Sequence, residues 1–173
     1  MLLFYSGADT ITEIAGDWRF RGFLLDMNLL FEQFVAKAFS TMARSTCFTA
    51  QPQRSDLLSQ PPSARINIRP DVTVRDGVRT AAVVDAKYKR SDDTLANYDV
   101  YQMIAYGTAL QCPRTYLFYP ATEWDLDALV EVRNSPIRIH VRRVDIGRSD
   151  CVSLVEQAAR AVLDESSTAV RGE

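Results

Sequence analysis

The sharpest chemical signal in the chain is Pro70-Asp71, then thirteen intervening residues, then Asp85-Ala86-Lys87. Ile66, Ile68, Val72 and Val74 alternate with polar residues, and Ala82, Val84, Ala86 and Tyr88 alternate with a face that holds Asp85 and Lys87. Both stretches read as strands, and a period of two turns Asp85 and Lys87 to one side. Asp76-Gly77 between them is a hairpin turn signal. Whether Asp71 joins the pair depends on register. A two-residue loop sets Asp71 opposite Ala82, on the wrong face; a three-residue loop sets it opposite Val83, diagonal to Asp85; a five-residue loop sets it directly opposite Asp85. Either of the last two brings the carboxylates within about 5–8 Å at Cβ, and the choice stays open. Two carboxylates that close repel unless a proton or cation sits between them. Oxygen ligands suit a hard cation such as Mg²⁺, with Mn²⁺ as an alternative. Such an ion polarises a phosphoryl oxygen and lowers the pKa of a bound water. Lys87 could orient that water or offset charge in the transition state. The chemistry is phosphodiester hydrolysis. Taken alone, the same three residues more often describe a salt-bridged polar face.

The elements around them add candidates. Asp26 is a good N-cap, and Met27, Leu30, Phe31, Phe34, Val35, Ala38, Phe39 and Met42 recur at helical spacing, which predicts a helix over about 27–44. Glu32 lies beside its apolar stripe, about 100° from Phe31, within reach of a helix–sheet boundary. A second helix is expected over 98–111, ended by Pro113. It carries Gln102 and Tyr106 one turn apart; the glutamine could bond a water or phosphate and the tyrosine a backbone or base. Each of these is an ordinary helix residue when taken alone. Thr46–Ala50 reads as a short strand, 51–63 as a Pro-containing loop, Tyr116–Tyr119 as a buried strand, 120–135 as a loop with at most one helical turn, and Ile137–Val144 as a strand. Asp150 caps a last amphipathic helix, and a frayed tail is expected from Ser166. Residues 1–25 read as irregular with a short strand. The expected order is α-β-β-β-α-β-β-α.

Composition sets the limits. The 173 residues are 47% hydrophobic and 24% charged, which suits one globular domain. Net charge is −2, so a generally basic nucleic-acid binder is not indicated, but residues 65–90 hold seven Lys and Arg, Arg69 and Lys89 among them, against three Asp. One histidine, His140, excludes a two-His zinc site. Arg138, His140 and Arg142 share a strand face expected to be solvated. Cys47, Cys112 and Cys151 are three, far apart and without a C-x-x-C, which fits a reduced, cytoplasmic setting. Gly22–Phe34, the longest apolar stretch, is broken by Asp26, Asn28, Glu32 and Gln33, so no membrane span is expected.

The order Glu32, Pro70-Asp71, Asp85-Ala86-Lys87, Gln102-x-x-x-Tyr106 resembles the PD-(D/E)XK nuclease superfamily. More narrowly, Gly22–Val35, Ile68-Arg-Pro-Asp71, Val84-Asp-Ala-Lys-Tyr-Lys89, Tyr101–Tyr106 and Leu117-Phe-Tyr-Pro120 resemble the McrC nuclease family of McrBC restriction systems, over about residues 20–120. The resemblance implies an α/β fold with a restriction-endonuclease-like core: a central mixed β-sheet flanked by helices in αβββαβ order. It implies an N-terminal extension over 1–20, a nuclease domain over 21–165 and a flexible tail over 166–173. Asp71, Asp85 and the Ala86 carbonyl would hold the metal, and Glu32 would complete the carboxylate set. Lys87 would position the attacking water, and Gln102 would support the site. Lys89, Tyr106 and Arg69 would contact nucleic acid. The implied activity is that of an Mg²⁺-dependent DNA endonuclease of a type IV, modified-DNA restriction system. The alternatives are a RecB-like repair nuclease and an inactive nuclease-fold binding module. A homodimer is expected if both strands are cut. An McrB-like AAA+ GTPase is the implied motor, although only about twenty residues precede the first helix where such proteins usually carry a docking region.

Overall fold

The computed structural model describes residues 9–15, 18–59, 64–89, 95–121 and 127–171, with side chains from Leu25 to Thr168. The first helix, α1 (Met27–Ala43), begins where expected: the Asp26 carboxylate accepts the N–H groups of Asn28 at 3.0 Å and Leu29 at 3.1 Å. Phe31, Val35, Ala38 and Phe39 recur on its buried side. Two strands, β1 (Asp9–Ala15) and β2 (Trp18–Leu24), precede it as an antiparallel pair where an irregular segment with one short strand is expected.

A six-stranded sheet forms the centre. Its strands are β3 (Thr49–Pro52), β6 (Val72–Asp76), β7 (Arg79–Ala86), β8 (Arg114–Pro120), β9 (Ala128–Glu131) and β10 (Arg138–Val144), in the spatial order β3-β6-β7-β8-β10-β9. The sheet is mixed. β7, β8 and β10 run parallel, and antiparallel strands lie at both edges. The parallel β7–β8 step is bridged by the second helix, α2 (Asn97–Ala109), as such a step requires. β9 lies where a loop was expected. Two two-residue strands, β4 (Asp56–Leu57) and β5 (Asn67–Ile68), pair apart from the main sheet. The segment read from its alternation as one strand, Ile66–Val74, is therefore two, β5 and β6. The break falls at Arg69-Pro70-Asp71, where Pro70 has no N–H to give a ladder.

Helices cover both faces. Val72, Val74, Ala82, Val84, Ala86, Tyr116 and Phe118 pack against α1 and the last helix, α3 (Cys151–Arg171). Val83, Leu117, Tyr119, Ile139 and Val141 pack on the other side with Met103 and Tyr106 of α2. α3 runs past Ser166, whose side chain is fully buried and donates to the Val162 carbonyl at 2.8 Å, so the helix continues where a tail was expected. The β10 face of Arg138, His140 and Arg142 is not simply solvated. His140 stacks on Tyr116 with ring centroids 4.8 Å apart, and Arg142 bridges Asp127 at 3.0 Å and Glu165 at 2.5 Å. Residues 60–63 and 90–94, the centre of the 120–135 loop, and the side chains of Trp18 and Trp124 lie outside the described residues.

α2 rests on the sheet through Gly107. A Cβ there would stand 2.9 Å from the Cys112 carbonyl oxygen and 3.2 Å from both Ile137 Cδ1 and Thr115 Cγ2. Since one of these is backbone, Gly107→Ala is expected to cost about 1–3 kcal/mol and lower the melting temperature by roughly 3–10 °C, as read by thermal unfolding.

Candidate functional site

The hairpin register sets the site. A two-residue turn at Gly77–Val78, with Gly77 at φ +56°, pairs Asp76 with Arg79 and Arg75 with Thr80. An extra residue, Ala81, then bulges out, so that Val74 faces Ala82, Thr73 faces Val83 and Val72 faces Val84. The same register, carried one step past the end of β6, sets Asp71 opposite Asp85, which lies in the field of the Asp71 charge. The register expected from a five-residue loop is thus reached by a shorter, later turn plus a bulge. Both carboxylates lie on the α2 side of the sheet, at the end where the parallel strands finish.

Each is held. The Ala86 N–H donates to Asp71 Oδ2 at 2.7 Å. The Lys87 ammonium stands 2.7 Å from Asp85 Oδ2, which is closed off from solvent and receives no well-angled hydrogen bond. The Lys87 N–H donates to the Phe118 carbonyl at 2.9 Å, so the ladder continues beyond β7 and fixes where Lys87 emerges. Arg69-Pro70-Asp71 is gripped from two sides. Gln102 Nε2 donates to the Tyr106 hydroxyl at 2.6 Å, and that hydroxyl donates to the Arg69 carbonyl at 3.1 Å. Opposite, the Gln53 N–H donates to the Asp71 carbonyl at 2.9 Å, and Gln53 Oε1 accepts from the Arg69 guanidinium. Gln102 Oε1 is buried without a donor.

Burial pushes Asp71 up to about 6 against the pull of the Ala86 N–H, and burial together with the facing Asp71 charge pushes Asp85 up to about 7. Glu32 is raised by burial, and its field meets those of Lys87 and Asp85. Burial draws the Lys87 ammonium down, but Asp85 and Asp71 outweigh it and hold its pKa above the ordinary value. Burial raises Tyr106 to about 12. Two facing carboxylates that resist ionisation suit a site completed by a cation. Among the described residues no three His, Cys, Asp or Glu side chains stand close enough to hold a metal ion, so Glu32 does not close a three-carboxylate cage with Asp71 and Asp85. Two carboxylates and a backbone carbonyl fit an ion that keeps several waters, as Mg²⁺ does.

These shifts carry a sign. Asp71, Asp85 and Glu32 hold protons more tightly folded than unfolded, so the metal-free protein loses stability as pH rises from about 4 through about 7. His140, lowered by burial, acts in the opposite direction, and His140→Gln removes it. The metal-free His140→Gln protein is expected to melt higher at about pH 5 than at about pH 8, with added Mg²⁺ raising the melting temperature more at the higher pH. Equal melting at both pH values would contradict the burial of two acidic groups.

The sequence-predicted residues divide accordingly. Asp71, Ala86, Asp85 and Lys87 come together; Gln102 and Tyr106 join them through the Arg69 carbonyl; Glu32 is near in charge only. Lys89 is tied to Asp99, at 2.6 Å, rather than free for a phosphate. Two residues escaped sequence reading. Gln53 sat in a loop without pattern. Asp99 is 1% exposed, yet a carboxylate in a helix's first turn ordinarily reads as a solvated partner of the helix dipole. Its spacing of one turn from Gln102 was the available signal.

The fold and site together define an α/β protein whose mixed sheet gathers facing carboxylates and a lysine where its parallel strands end. The chain belongs to the McrBC 5-methylcytosine restriction system component family, which matches residues 3–120, or 118 of the 173 residues. No curated protein matches it in sequence. Among solved structures, it is similar to a chain of the half-complex refined from a tetradecameric assembly of Thermococcus gammatolerans McrB AAA+ hexamers with bound McrC. The TM-score is 0.63 at 19% identity, covering 84% of this chain and 34% of that one. The chain thus spans about a third of that relative's length. No helix among the described residues is long and apolar enough to cross a membrane.

Proposed function

We propose that this chain is the nuclease component of an McrBC-type restriction system and hydrolyses DNA phosphodiesters with Mg²⁺. The observation that carries this reading is that Asp71, held by the Ala86 N–H at 2.7 Å, stands at the end of β7 beside Asp85, with the Lys87 ammonium 2.7 Å from Asp85. The sheet's central elements run α1, β3, β6, β7, α2, β8, which supports a restriction-endonuclease-like core in αβββαβ order. Asp71, Asp85 and the Ala86 carbonyl would hold the ion, with Glu32 acting through water. When bound, the ion supplies a Lewis acid for a phosphoryl oxygen and a water of lowered pKa. Lys87 would hold the attacking water and offset charge on the phosphoryl group. Gln102 and Tyr106 hold the Asp71 segment in place.

The complex of the structural relative, McrB AAA+ hexamers with bound McrC, supports an McrB-like AAA+ partner for this chain. Cutting both strands needs two such sites, hence a pair of nuclease chains. The test is cleavage of methylated and unmethylated duplex DNA with an AAA+ partner and GTP supplied. Cleavage is expected in Mg²⁺ and should be lost on chelation and in Lys87→Ala; cleavage by Lys87→Ala would reject the assignment. The Gln102-x-x-x-Tyr106 spacing, which resembles that of RecB-like nucleases, favours a second reading, a nuclease of ends or single strands. Circular duplex compared with linear and single-stranded DNA separates the two.

A further inference from the structure

We propose that Arg114 and His140 form an oxyanion pocket that takes a phosphate group, at the opposite end of the parallel strands from the carboxylates. Arg114 and Arg138 are the first residues of β8 and β10, and those parallel strands pair them in register. Side chains in register on parallel neighbours leave the same face, here the α3 face that also carries Tyr116 and His140. With Pro113, Pro136 and Glu165 they line a cavity of about 480 Å³, within the range of small-molecule sites.

One guanidinium on this face is left over. Arg138 is served by Glu131 at 3.4 Å, and Arg142 by Asp127 and Glu165. Arg114 pairs with no acid among the described residues, and its Nε is closed off from solvent without an acceptor. Glu165, the acid that lines the cavity, is spent elsewhere: its two oxygens take Arg142 at 2.5 Å and the Tyr116 hydroxyl at 2.9 Å. His140 lies flat on Tyr116, and its ring nitrogens bond no described residue. A buried N–H without an acceptor costs about 1–3 kcal/mol, which a bound oxyanion recovers. A carboxylate would be filled by Arg114 alone, whereas a phosphate keeps oxygens for the imidazole as well. The pocket lies on the α3 side and the carboxylates on the α2 side, so the inference does not rest on the nuclease reading.

His140 is the chain's only histidine, so its ring C2–H resonance is a unique reporter of the cavity. Burial lowers its pKa, Glu165 opposes that, and Arg142, Arg138 and Arg114 add to the lowering. In the metal-free full chain, inorganic phosphate is expected to raise the His140 pKa saturably, by about half a unit or more beyond sodium chloride of equal ionic strength. Arg114→Met should abolish the saturable shift and melt no lower than wild type, because it removes a guanidinium whose Nε is unpaired. Arg114→Lys keeps the charge but loses that N–H, and should bind phosphate roughly 3- to 30-fold more weakly. Lys87→Ala should leave the shift unchanged, which a response arising at the carboxylates would not. The same titration with a mononucleotide and with a duplex oligonucleotide separates the sources of phosphate. Saturation by the duplex far below the phosphate concentration assigns the pocket to a nucleic-acid backbone; saturation by phosphate and mononucleotide alone assigns it to a free ligand. A His140 pKa that phosphate moves no further than chloride does, or moves equally in Arg114→Met, overturns the pocket and leaves the nuclease reading standing.

Discussion

Asp85→Asn is expected to reduce cleavage by at least about 10²–10³-fold while making the metal-free protein more stable. The two effects share one cause. Asp85 is 1% exposed, faces a second carboxylate and is pushed up to about 7, so at about pH 8 the folded protein carries a buried charge that the unfolded chain would solvate. The amide keeps the shape and removes the charge. The Lys87 ion pair is lost, but Lys87 is partly exposed and still lies in the field of Asp71. The net gain should be about 1–3 kcal/mol, or roughly 3–10 °C in melting temperature, measured without metal at about pH 8. Mg²⁺ should then stabilise the wild type and leave Asp85→Asn almost unmoved. A variant that melts lower than wild type would mean that the ion pair outweighs the burial of charge. A variant that still cuts would remove Asp85 from the chemistry.

The pattern that made Asp85 conspicuous also shows how far sequence alone reaches. Period-two alternation placed Asp85 opposite the core-facing Ala82, Val84 and Ala86, and that parity holds in β7. The capped α1 and the α2 crossover were legible for the same reason: each repeats one local rule over many residues. What was not legible depended on single irregularities. The partner of Asp85 was fixed by one bulged residue, Ala81, which alternation does not reveal. Pro70 split an apparently continuous strand, and its neighbours were then anchored by Gln53 and Tyr106 from elements distant in sequence. Edge strands such as β9 and the small β4–β5 pair are too short for a periodic signal. Arg142 reads as a surface residue until α3 is placed, because Glu165, its partner, is 23 residues away.

Asp99→Ala is expected to be the most destabilising single change around the site, by about 3 kcal/mol, lowering the melting temperature by roughly 6–12 °C. Asp99 Oδ2 accepts the Tyr119 hydroxyl at 2.5 Å and faces the Lys89 ammonium at 2.6 Å. One buried oxygen thus ties the first turn of α2 to β8 and to the segment that leaves β7. Alanine leaves the hydroxyl of Tyr119, a buried residue, without an acceptor and Lys89 without its partner. Asp99→Asn keeps an acceptor and should cost about half as much. Tyr119→Phe alone should cost about 1 kcal/mol, and in the double variant with Asp99→Ala the losses should fall short of additive by about 1 kcal/mol, since both remove one bond. Activity follows the same order for a geometric reason. Gln102 and Tyr106 ride on α2, and their grip on the Arg69 carbonyl sets where Asp71 stands. Loosening the start of the helix should therefore lower cleavage well below the melting temperature, more in Asp99→Ala than in Asp99→Asn. Full additivity with Tyr119→Phe would show that the two side chains do not act through a shared bond, and undiminished cleavage by a destabilised Asp99→Ala would show that the site does not depend on how α2 is seated.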